Sequence, residues 1–204
     1  EFTDWNMPNA ALASGELDAN NFQHTPYLNN QIKQRGYDLL PVAKSIVVPM
    51  GIYSNKITSL VELQAGARIS IPNDPTNGAR ALVLLQLAGL LQLKDGTDFT
   101  ASVTDIISNP KQLKLVELDA AQLPRSLDDV TASVITLNYA VQAGLDPKKA
   151  LLLENDLSKW HLVWVTRRDN ANDQRVQRFI QIYQSPEVRK FIASRFQGTI
   201  VPAW

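Results

Sequence analysis

The chain has 204 residues, 45% of them hydrophobic and 20% charged, enough apolar material for one large domain or two small lobes. Lys+Arg balances Asp+Glu at net charge zero, so the basic excess or stripe of a nucleic-acid binder is missing; the longest basic clusters, Arg167-Arg168 and Lys148-Lys149, read as solvated surface. Cysteine is absent, which excludes disulfides, thiolate metal sites and a thiol nucleophile, and no run of about 18 apolar residues offers a membrane span.

In chain order, the first informative stretch is NFQHTPYLNN (21–30). Phe22, His24 and Tyr27 crowd ahead of a predicted helix, with Thr25 as N-cap, Pro26 at the first helical position and Gly36 as the stop. The segment suits a piece of core, a catalytic histidine or a pocket wall. SIVVPMGIYS (45–54) reads as one strand, and Ser59 caps a helix over SLVELQ that Gly66 ends. ARISIPND (67–74) is the next strand, followed by a leucine-rich helix from Asn77 to Leu91. LKLVEL (113–118), ASVITL (132–137) and HLVWVT (161–166) are further strands rich in β-branched residues. Asp146-Pro147 starts another helix, and two amphipathic helices, 172–183 and 186–196, are split by Ser185-Pro186. This alternation predicts an α/β fold with mostly parallel sheets, which bind ligands at strand carboxyl ends and helix N-termini.

No GxGxxG, GxxxxGK[ST], HExxH or GxSxG motif occurs, and His24 and His161 have no motif neighbours. No catalytic residue, metal site or cofactor is therefore predicted, and an α/β enzyme stands only as the competing class. IPNDPTNGAR (71–80) ends a strand and opens a helix whose first N–H groups favour an anion, with Arg80 able to grip a carboxylate. The plainer reading is a capped helix with Arg80 in solvent. In LPRSLDD (123–129), Arg125 meets an anion or pairs with Asp128 or Asp129 across a helical turn, the second being favoured. Arg80 beside a helix N-terminus, with Trp5, Phe22, His24 and Tyr27 as apolar walls, would suit a small zwitterion with an apolar side chain.

Three long stretches carry a resemblance: DWNMPNAALASGELDANNFQHTPYL (4–28), PMGIYSNKITSLVELQAGARISIPNDPTNGARALVLLQLAGLLQLKDG (49–96) and ISNPKQLKLVELDAAQLPRSLDDV (107–130). They closely resemble the NlpA/MetQ lipoprotein family, the methionine-type substrate-binding proteins of bacterial ABC importers. The similarity runs from Asp4 to the closing PAW (202–204). It implies a two-lobed type II periplasmic-binding-protein fold with a ligand cleft between the lobes. Lobe one would be 1–62 with 160–204, and lobe two 63–159, with GIYS and HLVWVT near the crossovers. The implied partners are a methionine-like amino acid and an inner-membrane ABC permease, with no nucleic acid and a monomeric state. The implied location is periplasmic or cell-envelope, lipid-anchored through a segment upstream of residue 1. The family also implies an upstream strand and helix ahead of Glu1.

Carried over position by position, Trp5 stands where the family has Tyr, and Phe22, His24 and Tyr27 match the FQHxPYL motif that lines the pocket for the thioether. Aromatic rings suit polarizable sulfur. The resemblance thus favours pocket wall for the 21–30 segment. Asn77 and Arg80 match PTNxxR, whose Arg binds the ligand carboxylate. Two positions depart. In ITLNYA (135–140) Thr136 replaces an amine-binding Asn, with Asn138 two residues on, and in KWHLVWVTR (159–167) Leu162 replaces another, beside His161. A buried ammonium without acceptors costs several kcal/mol. The expectation is weak binding of free methionine, or a ligand without that amine: a derivatised amino acid, a small peptide or another carboxylate.

Overall fold

A computed structural model describes residues 2–97, 99–154 and 160–204. The elements are α1 (Met7–Ser14), β1 (Asn20–His24), α2 (Thr25–Arg35), β2 (Leu39–Val47), β3 (Met50–Tyr53), β4 (Arg68–Pro72), α3 (Pro75–Leu87), β5 (Gln92–Leu93), β6 (Ile106–Ser108), β7 (Lys114–Leu118), α4 (Leu123–Ser126), β8 (Ala132–Thr136), α5 (Leu137–Gln142), β9 (Leu152–Leu153), β10 (His161–Arg167), α6 (Gln174–Tyr183), α7 (Pro186–Phe196) and β11 (Val201–Pro202). They form two compact units, Glu1–Val48 with Asp156–Trp204 and Pro49–Asn155.

The predicted strand over 45–54 is two strands, because Pro49 has no N–H to give a ladder and the chain changes unit beside it. β2 pairs with β10 and β11 in the first unit, while β3 pairs with β8 and β9 in the second. Residues 49–62, expected in lobe one, therefore lie with the second unit. The segments starting at Ser59 and Asp146 are single 3-10 turns, Leu60–Glu62 and Pro147–Lys149, rather than longer helices. The long helix starts at Pro75 and stops at Leu87, with Gly89 at φ +70° just beyond.

The first unit holds a sheet of order β1-β10-β2-β11 in which every pair is antiparallel. The expectation of mostly parallel sheets does not hold here. Leu12 of α1 and Leu28 of α2 bury fully against Leu39, Val163 and Val165 of the sheet. Asn9, Asn20 and Gln23 bond one another in this interior: Asn9 Nδ2 donates to Gln23 Oε1 at 2.8 Å, and Asn20 Nδ2 to Asn9 Oδ1 at 2.9 Å. Such closure offsets the cost of burying amides. In α6, Val176 and Ile180, one turn apart, face inward.

The second unit holds a sheet of order β7-β4-β8-β3-β9, parallel at β7-β4-β8 and antiparallel at β8-β3-β9. Ile69, Ile71, Val134 and Ile52 line its interior, and α3 covers them with Leu82 and Leu85. Gly78 permits that approach, since a Cβ there would lie 3.0 Å from Pro72 O. β4, β8 and α4 are also tied by a hydroxyl chain, Ser70 Oγ lying 2.7 Å from both Ser126 Oγ and Ser133 Oγ.

Tyr53, at the end of β3, is 3% exposed and its hydroxyl has no partner. Burial first, and then the charge of Asp146, pushes this phenol up to about 12. Its folded value is raised, so its contribution to stability is present below pH 10 and is lost as pH rises toward 12. Spectrophotometric titration should show a tyrosine step near pH 12, and Tyr53→Phe should remove that step. The same change should raise stability at neutral pH, because it removes a buried hydroxyl that makes no bond.

Candidate functional site

The first unit gathers the aromatic residues predicted from 21–30 around one ring. β1 ends at His24, which caps α2: its Nδ1 accepts from Tyr27 N at 3.1 Å. His24, not Thr25, is the N-cap, and Thr25 and Pro26 are the first two helical residues. The cap delivers Tyr27 into the interior, 5% exposed, where its hydroxyl donates to Trp5 O at 3.0 Å. Trp5, Phe22 and His24 meet the Tyr27 ring edge-on at centroid distances of 6.3, 6.0 and 6.3 Å. Edge-to-face contacts of this kind are favourable for aromatic quadrupoles.

Trp160 adds a fifth ring, 5.0 Å from His24. Sequence reasoning missed it, although it directly precedes the strand HLVWVT. Leu162 of β10 stands opposite His24 in the sheet register. His161 begins β10 and is half-buried.

The second unit gathers the charged candidates. Asp74 is the N-cap of α3, and its Oδ1 accepts from Asn77 N at 3.0 Å. Asn77 Nδ2 also donates to both Asp74 carboxylate oxygens at 3.1 Å. The anion at this helix start is thus the chain's own carboxylate, which takes the N–H that was expected to face a ligand. Arg80, a turn further on, is 3% exposed rather than in solvent. Its Nε donates to Glu154 Oε1 at 3.0 Å and its Nη2 donates to Glu154 Oε2, a forked, charge-assisted pair.

Glu154 follows β9 and is itself buried. Its Oε2 also accepts from Met50 N at 3.1 Å, and its own N donates to Met50 O at 2.9 Å. Met50 in turn stands opposite Thr136 in the β3–β8 register. Thr136 is 5% exposed and its Oγ1 has no hydrogen-bond partner. Arg80, Glu154 and Thr136 therefore converge on Met50. Asn138 sits half-buried in the first turn of α5, two residues beyond. Arg125, by contrast, is exposed, and Asp128 accepts from Asn55 at 3.4 Å.

Glu154 was not legible as a site residue. Its partner lies 74 residues away, and the only local signal is one carboxylate at the end of the apolar run ALLLE (150–154). Among the described residues no cluster of His, Cys, Asp and Glu could hold a metal ion, and no helix is long and apolar enough to cross a membrane.

The first unit thus carries a group of aromatic rings around Tyr27, and the second a buried arginine forked onto a carboxylate. The chain belongs to the NlpA lipoprotein family, whose model matches residues 1–204. It is 50% identical over 204 residues to a probable D-methionine-binding lipoprotein MetQ of Vibrio cholerae, covering 100% of this chain and 76% of the relative. It is 48% identical over 206 residues to the D-methionine-binding lipoprotein MetQ of Escherichia coli, with the same coverage. Among solved structures, a nutrient-binding protein of Burkholderia cenocepacia bound to methionine superimposes with a TM-score of 0.95 at 48% identity, covering 100% of this chain and 86% of that one. The substrate-binding protein of a methionine transporter from Streptococcus pneumoniae does so with a TM-score of 0.93 at 39% identity, covering 100% and 83%. These neighbours are periplasmic substrate-binding proteins, so the fold is of that type.

Tyr27→Phe removes the bond to Trp5 O while keeping the ring. It should cost about 0.5–1.5 kcal/mol of stability in urea denaturation and alter the near-ultraviolet circular dichroism of the aromatic group. An unchanged midpoint and spectrum would mean that the N-terminal segment is not fastened there.

Proposed function

We propose that this protein is the substrate-binding component of an ABC importer and that it binds methionine or a related amino-acid derivative. The observation that carries this reading is the buried, forked Arg80, a carboxylate-recognising group held at the charged end of a site. The aromatic group around Tyr27 supplies the complementary chemistry, since rings pack well against a thioether. Relatives named as D-methionine-binding lipoproteins and a relative bound to methionine support the ligand class. The relative described as an ABC transporter, periplasmic substrate-binding protein, from Coxiella burnetii, supports delivery to a membrane permease at the cell envelope.

A binding role without catalysis is supported by the engagement of one histidine. The Nδ1 of His24 is engaged by the α2 cap, which makes it a poor general base. A second reading, a divergent relative that takes an amine-free carboxylate, is favoured by Thr136 and Leu162 at the positions of family asparagines.

Isothermal titration with L- and D-methionine should give one site per chain for at least one enantiomer, with an affinity in the micromolar range or tighter, about −8 kcal/mol or better. Arg80→Lys keeps the charge but loses the fork, and should weaken binding by about 1.5–3 kcal/mol. Absence of heat with both enantiomers would overturn the methionine reading.

A further inference from the structure

A buried ion pair is a poor way to stabilise a fold. Removing two charges from water costs about as much as their attraction returns, and apolar replacements often do better. The Arg80–Glu154 pair nevertheless sits with both side chains almost wholly covered. Its geometry suggests a use. Glu154 does not depend on Arg80 alone, because Met50 N holds one of its oxygens and its own backbone N–H is fixed on Met50 O. The carboxylate would keep its place if Arg80 turned to another partner. On the other side of β3, opposite Met50 in the β3–β8 register, lies the unpartnered Thr136 hydroxyl. A polar atom buried without a bond costs about 1–3 kcal/mol unless something else completes it.

We propose that the Arg80–Glu154 pair opens around a zwitterionic α-amino acid, Arg80 taking the ligand carboxylate and Glu154 taking its ammonium. This rests on the amino-acid-binding reading and refines it. Charge accounting decides between zwitterion and simple anion. The empty pair is neutral, and a zwitterion is neutral, so one ion pair becomes two with no charge left over. A carboxylate without an amine would compete with Glu154 for one guanidinium and leave a buried negative charge uncompensated. The site therefore selects for a free α-amine. The acceptors missing at Thr136 and Leu162, which from sequence alone point to a ligand lacking that amine, are replaced by Glu154.

The test is calorimetry at pH 7 with methionine, des-amino methionine and N-acetylmethionine, on the wild-type protein and on Glu154→Gln. Wild type should bind methionine about tenfold to a hundredfold more tightly than either analogue, the scale of a charged hydrogen bond. Glu154→Gln should weaken methionine while leaving des-amino methionine unchanged or tighter. That crossover is not produced by a general loss of structure, and the wild-type series needs no variant at all. Equal affinity of wild type for methionine and des-amino methionine would overturn the proposal while leaving the methionine reading intact. So would an equal loss of both ligands in Glu154→Gln. Failure of wild type to bind any of the three would overturn the methionine reading as well.

Discussion

The buried contact between Arg80 and Glu154 constrains the whole second unit. It joins α3 to the end of β9, and through Met50 it reaches β3 and β8. A guanidinium at this depth is tolerable only with its charge matched and its N–H groups directed at acceptors. Each neighbouring feature serves that requirement. Asp74 caps α3 and fixes where the helix starts. Gly78 lets the helix lie close over Pro72 O. Leu82 and Leu85 hold it against the sheet. The arginine is thereby placed by packing.

The first unit solves a different problem with different material. There the buried amides of Asn9, Asn20 and Gln23 satisfy one another, and the organising side chain is Tyr27. One imidazole fastens this arrangement: His24 ends the strand, caps the helix and touches both Tyr27 and Trp160.

What the sequence disclosed was whatever is local. The strands at 68–72, 114–118 and 132–136 and the helices at 174–183 and 186–196 follow from runs of β-branched residues, caps and prolines. The aromatic triad was visible because Phe22, His24 and Tyr27 sit within one turn signal of each other. Long-range pairings were not visible. Nothing near SIVVPMGIYS tells that its two halves join different sheets, and strand–helix alternation does not reveal antiparallel returns such as β10 on β2. His24 as a cap was hidden because a Thr-Pro pair beside it carries the stronger cap signature. Glu154 escaped because an ion pair spanning 74 residues leaves no spacing to read.

The most direct measurement is a crystal structure of the protein with methionine bound. The account predicts the ligand carboxylate on the Arg80 guanidinium and its ammonium within hydrogen-bond distance of a Glu154 oxygen, with the Met50 N–H still on the Glu154 carboxylate. An ammonium held elsewhere, with the Arg80–Glu154 fork unbroken, would contradict it.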